Sequence, residues 1–304
     1  MLSILIPVYN LDVTRLVNSL YNQAKMLDID FEIIAMEDGS KFFTGENSII
    51  KNFDSNPKSL TDDNIKNLDG SQNRITHIIL PENIGRSAIR NRLADTAKYP
   101  FLLFLDCDVE IDKDDFLKTY LPYCKENVAV IGGIKYDENY NNPNESLRLM
   151  YGRRRESNNT QFFVTPNFLI DKNLFQKIRF DETIVGYGCE DLIFGVKLKD
   201  FTVIDNRVIH KGLPTNEKFL DNTKNAIENL FTLYQSGEYP TLPHNSRVLS
   251  TFVKIKKLHL VPLVRLSFHL FKTAIITNLK SPHPSLFLFD IYKLGIICDS
   301  AKRL

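Results

Sequence analysis

Four continuous apolar runs, LSILIPV (2–8), FEIIAM (31–36), RITHIIL (74–80) and FLLFL (101–105), occupy the first third of the chain. None shows the strict polar–apolar alternation of a half-wetted strand, so each reads as a strand covered on both faces. Between them, LDVTRLVNSLYNQAKML (11–27) carries Leu16 and Leu20 at helical spacing, and a second helix is expected from about Gly85 to Lys98. Strands alternating with helices predict an α/β fold, a mostly parallel central sheet flanked by helices.

The rhythm loosens afterwards. VAVIGG (128–133), FFVTPNFLI (162–170), FTVI and RVIH read as further strands. Helices are expected over 190–199 and 217–237, and NYNNPNESLRLMYGRRRESNN (139–159) reads as a long polar connection. DSNPKSLTDDNIKNLDGSQNR (54–74) is polar and turn-rich, as expected of a surface insertion.

In an open parallel sheet, ligands bind beyond the carboxyl ends of the strands. The residues there are Pro7-Val8-Tyr9-Asn10, Glu37-Asp38-Gly39-Ser40, Pro81-Glu82-Asn83 and Asp106-Cys107-Asp108, and they are expected to line one edge. Asp106 and Asp108 follow the buried run directly, and two adjacent carboxylates are costly unless something offsets their repulsion. Two readings are open: a turn or helix-cap cluster, or a divalent-metal site of hard oxygen ligands. Asp38 is a turn residue or an acceptor for a nucleobase N–H. NIGRSAIRN (83–91) opens a helix with a glycine and two arginines, Arg86 and Arg90, a weak anion-binding signal. Glu190-Asp191 complements a helix dipole or supplies a general base. His210 is a lone histidine, structural unless it reaches Asp108.

Other classes are disfavoured. G-x-G-x-x-G and the P-loop motif are missing. The cysteines at 107, 124, 189 and 298 form no C-x-x-C pair, so neither a disulfide framework nor a zinc cluster is indicated. MLSILIPVYN lacks the basic region and cleavage site of a signal peptide, and no uncharged apolar run reaches membrane-span length. A cytoplasmic setting is the expectation. The net charge of +1 suggests no nucleic-acid partner, yet it is unevenly spread: from residue 245 onward ten Lys or Arg face two Asp, a net +8, leaving −7 for the rest.

Taken in order, IPVYN, EDGS, NIGRSAIRN, FLDCDV and FDETIVGYGCEDLIFGVKL resemble glycosyltransferase family 2 over about residues 1–235. The resemblance implies the GT-A fold and an inverting transfer from a nucleotide-activated sugar, most often a UDP-sugar, with Mn²⁺ or Mg²⁺. It implies that Pro7, Tyr9 and Asp38 frame the nucleotide and that Arg90 lies near the diphosphate, Arg86 sharing its helix. It further implies that Asp106 and Asp108 are the D-x-D pair, that Asp191 is the base with Glu190 its neighbour, and that His210 is a metal-binding histidine of some branches. Cys189 stands where the family often has glycine, a departure that could alter the acceptor pocket. The rivals are a catalytically silent nucleotide-sugar-binding protein and a sugar-phosphate nucleotidylyltransferase, whose glycine-rich N-terminal loop is missing here.

The expected organisation is a catalytic domain over 1–240 and a basic, helical C-terminal region over 245–304. The acceptor implied is a glycan or lipid-linked saccharide. In the segment 253–280, Arg265, His269 and Lys272 would share one helix face with apolar residues around them. Two readings are open for it: a helix packed on the catalytic domain, or peripheral contact with the inner face of the cell membrane.

Overall fold

A computed structural model describes residues 1–54, 74–158, 161–184 and 186–301. The expected surface insertion lies outside them except for its two end residues. There the Asp54 carboxylate accepts from the Tyr21 hydroxyl at 2.7 Å and from the Arg74 N–H at 2.8 Å.

The chain divides into two compact units. The first comprises Met1–Ile134, Val164–Phe180 and Asp200–Ile209. Its strands begin with β1 (Leu2–Val8), β2 (Phe31–Glu37), β3 (Ile75–Ile79) and β4 (Phe101–Leu105), all mutually parallel where they pair. The short β5 (Val109–Glu110) follows. Next come β6 (Ala129–Ile131), β7 (Ile134–Lys135), β8 (Asn167–Asp171), β9 (Thr202–Val203) and β10 (Val208–His210). The main sheet runs β3-β2-β1-β4-β8-β6-β9, and β5-β10-β7 form a small second sheet. Only β8 interrupts the parallel order, pairing antiparallel with both β4 and β6. The strand expected over 162–170 begins only at Asn167, because Pro166 has no N–H to give a ladder.

Register decides what meets at the edge. Val8 pairs with Glu37, and Glu37 with Ile79, so the residues that follow these strands emerge side by side. Helices Thr14–Lys25 and Arg86–Thr96 form within the stretches expected, and Leu16, Val17 and Leu20 of the first are buried in the core with Ile4 and Ile33.

The second unit comprises Lys135–Phe163, Asp181–Lys199 and His210–Leu304. It is built of helices, chiefly Glu190–Leu198, Asn216–Ser236, Arg247–Lys257, Val261–Leu279 and Leu286–Ser300. The 139–159 stretch is not a plain polar connection: Ser146–Tyr151 is helical and Gly152–Glu156 continues it as a π-turn. Its Arg148 is buried, with its guanidinium over the Tyr136 and Phe219 rings and a 2.8 Å ion pair to Glu156. Stacking and pairing let that charge sit inside.

The C-terminal helices are part of this unit's core, where Phe252, Phe268, Ile275 and Phe289 are buried together with Leu147, Ile193 and Phe219. Helices Val261–Leu279 and Leu286–Ser300 approach closely at Gly295, where a Cβ would lie 2.3 Å from the buried Phe268 ring. Gly295→Ala is therefore expected to cost about 1–3 kcal/mol, as overpacking does. A lowered denaturation midpoint for the variant checks this; an unchanged one would mean that the two helices do not meet there.

Candidate functional site

At the carboxyl ends of β1, β2 and β4 the first unit opens a cleft of about 510 Å³, lined by Pro7, Val8, Tyr9, Asp38, Arg86, Ile89, Arg90, Asp106, Cys107 and Asp108. Seven candidates from the sequence are thus brought together: Pro7, Tyr9, Asp38, Arg86, Arg90, Asp106 and Asp108.

Asp38 follows β2 and is buried. Its two carboxylate oxygens accept from the Ile84 N–H at 2.7 Å and the Gly85 N–H at 3.2 Å. These bonds tie two amides to Asp38 and pin the loop that enters helix Arg86–Thr96. Burial pushes the Asp38 pKa up, and the two amides pull it back only in part. Gly39 at φ +66° is required here, since a Cβ would lie 2.4 Å from the Glu82–Asn83 backbone.

Beneath Asp38 lies a network that sequence reasoning missed. Glu37 is fully buried and accepts from Asn47 Nδ2 at 2.7 Å, with His77 Nε2 at 3.1 Å. Burial alone would raise its carboxyl, but hydrogen bonds from His77, Ser40 and Asn47 outweigh it and hold the pKa below the ordinary value. The available signal was a glutamate closing an apolar strand, which has to find partners if it is buried.

The repulsion between the paired aspartates is offset partly by the protein itself. Arg90 Nη2 donates to Asp106 Oδ1 at 2.6 Å, and this arginine is only 4% exposed. Its guanidinium also lies over the Phe180 ring and donates to the Arg86 carbonyl at 3.2 Å. Cys107 separates the two aspartates, and burial, with the charges of Asp108 and Asp106, pushes its thiol up to about 12. Asp108 lines the cleft, half-buried.

Glu190, Asp191 and His210 lie in the second unit. Gly186, Gly188 and Cys189 all have positive φ before helix Glu190–Leu198. Cys189, at φ +79°, keeps a backbone conformation that suits the glycine common in the motif it departs from. Its side chain is buried, with Sγ 3.4 Å from the Ala226 carbonyl, so the substitution packs against helix Asn216–Ser236. Glu190 is buried, while Asp191 is half-buried and its Oδ1 accepts from the Leu192 N–H at 2.7 Å. His210 shares a separate cavity of about 350 Å³ with Tyr136, Asp137, Tyr140 and Lys211. Its Nδ1 lies 3.5 Å from Arg148 Nη2 and its ring meets Tyr136 edge-on.

Among the described residues, no three His, Cys, Asp or Glu side chains converge as a preformed metal cage. The hard oxygens of Asp106 and Asp108 on the cleft wall fit an ion that draws its remaining ligands from phosphate and water, as Mg²⁺ does.

The sequence model for Glycosyl transferase family 2 matches residues 3–179. No curated protein matches the chain. Among solved structures, a mannosyltransferase from Pyrobaculum calidifontis in complex with GDP-Man and Mn²⁺ is 12% identical, with a TM-score of 0.56 over 99% of this chain and 86% of that one. S. aureus TarS 1–349 is 18% identical over 76% of this chain and 65% of that one, with a TM-score of 0.45. Glucosyl-3-phosphoglycerate synthase from Mycobacterium tuberculosis is 14% identical over 76% and 79%, with a TM-score of 0.47. The chain spans 65% of TarS 1–349 and 39% of the longer TarS structure, less than two thirds of either. The architecture shared with the mannosyltransferase is the GT-A fold.

Proposed function

The chain belongs to glycosyltransferase family 2, and from that premise we propose that it transfers a sugar, with inversion, from a nucleoside-diphosphate donor to a hydroxyl of a glycan or lipid-linked saccharide. The observation that carries the reading is the cleft in which Asp38, Arg86, Arg90, Asp106 and Asp108 meet beyond parallel strand ends. A nucleoside diphosphate needs that combination of acceptors for a base and cations for phosphate. The donor proposed is a UDP-sugar, with a GDP-sugar the alternative to test.

Pro7 and Tyr9 frame the nucleotide, and Asp38 accepts from its base. Arg86, exposed at the start of its helix, attracts the diphosphate, while Arg90 holds Asp106 in place. Asp106 and Asp108 would hold Mn²⁺ or Mg²⁺, and the ion would supply positive charge beside the leaving diphosphate. Asp191 takes the proton of the acceptor hydroxyl as its oxygen bonds to the anomeric carbon, and Glu190 supports that helix end. The bond from that carbon to the diphosphate breaks with its electron pair on the leaving nucleotide, so one displacement inverts the centre. Residues 1–240 carry this machinery, and 245–304 are an accessory region of a cytoplasmic enzyme working at the inner face of the membrane. The setting proposed is polysaccharide or glycolipid assembly. Family membership leaves the nucleotidylyltransferase alternative without support.

The test is a screen of UDP- and GDP-sugars for donor hydrolysis, with and without a chelator. Turnover of one donor class, lost on chelation, is the expected result. Tight nucleotide binding with no turnover of any donor would favour the silent binding protein instead.

A further inference from the structure

Helix Val261–Leu279 is apolar on two opposite sides. Inward, Phe268, Ile275 and Leu279 are buried in the second unit. Outward, Leu263, Leu266 and Leu270 recur at helical spacing with Phe271 beside them, and these four are 58–71% exposed. Leu258 and Leu260, in the turn just before the helix, are exposed as well. A helix side turned to water normally carries charge. Here Ser267, Thr273, Ala274 and Thr277 are exposed with the outer leucines, and none of them carries charge. Arg265 and Lys272 are only half-exposed, Lys272 lies over the Phe268 ring, and His269 pairs with Asp299 at 2.9 Å. The basic face expected from the sequence is therefore a flank of this helix, and the outermost surface is leucine.

Along the chain through this strip the charge has one sign. From Tyr239 to Phe289 the chain has seven Lys or Arg and no Asp or Glu. Lys254, Lys256 and Lys257 are exposed on the last turn of helix Arg247–Lys257, immediately before Leu258. Glu217, from helix Asn216–Ser236, pairs with Lys280 at the far end of the strip.

The occupant must accept leucines and tolerate lysines beside them. A second copy of this chain, docked through the same face, would bring the positive excess of both copies into one interface. No helix among the described residues is long and apolar enough to cross a membrane. The surface of an anionic bilayer meets both needs: the leucines enter below the headgroups while the lysines pair with lipid charge. We propose that the outer face of helix Val261–Leu279, with the turn and lysines before it, docks on an anionic lipid surface without spanning it. This rests on the proposed lipid-linked acceptor only for its biological purpose, since the contact itself is independent of turnover.

The experiment is flotation of the chain with vesicles of phosphatidylcholine alone, or of equal parts phosphatidylcholine and phosphatidylglycerol, at low and high salt. The chain is expected to float with the anionic vesicles and to be released by salt. Leu266→Glu with Leu270→Glu should weaken partitioning at least about 10-fold for each leucine lost. Neutralising Lys254, Lys256 and Lys257 to Gln should weaken it about fivefold per lysine. Unchanged circular dichroism is expected for both, because the altered residues lie outside the core. Flotation of the leucine variant equal to that of the native chain would overturn the proposal, as would no flotation at low salt. So would a native dimer that the leucine variant converts to monomer, which would assign the face to a second copy. Donor turnover without vesicles is read in parallel: its absence would sink the transferase reading and leave a positive flotation result standing.

Discussion

Asp108→Ala is expected to lower sugar transfer on the order of a thousandfold, the several kcal/mol that a metal's charge stabilisation is worth in a transition state. The fold should survive, because the partner that holds Asp106 is Arg90, at 2.6 Å, and that pair is untouched. Asp108 is half-buried on the cleft wall, so its loss opens space towards solvent and leaves no sealed core cavity. Nucleotide affinity measured with and without Mn²⁺ makes the test specific. The native chain should bind more tightly with the ion, and Asp108→Ala should lose that difference. A variant with near-native rate, or one that keeps the full effect of metal on nucleotide affinity, would return the paired aspartates to a turn cluster.

Asp191→Asn should reduce kcat by at least about 100-fold, as loss of a general base does. Asparagine keeps the shape and an oxygen that can accept from the Leu192 N–H, so helix Glu190–Leu198 should hold. Donor affinity should change little, which gives a fall in kcat with KM for donor near its native value. Full turnover in the variant would reduce Asp191 to complementing the dipole of its helix.

Legibility in the sequence followed a physical gradient. β1 and β4 coincide with LSILIPV and FLLFL, because an uninterrupted apolar run bounded by turn residues has only one economical place, a strand covered on both faces. The convergence of Asp38, Asp106 and Asp108 was also legible: parallel strands put the residues that follow them on one edge. Ser146–Tyr151 was not legible as a buried helix. Arg148 marks that segment as polar, and its burial becomes tolerable only once the folded chain brings Tyr136, Glu156 and Phe219 around it. The network under the cleft was hidden for the same reason, since Glu37, Asn47 and His77 meet across strand pairing and a loop.

The alternation of strands and helices, the gathering of the strand-end residues on one edge, and the family motifs were determined by the sequence alone, because local patterning and the direction of parallel strands leave few alternatives. Only the tertiary structure decided that Arg90, inside the protein, neutralises Asp106. It alone decided which side of helix Val261–Leu279 is core and which is left outward. Leucines stand on both sides of that helix in the sequence, and hydrophobicity has no direction until a packing partner covers one side.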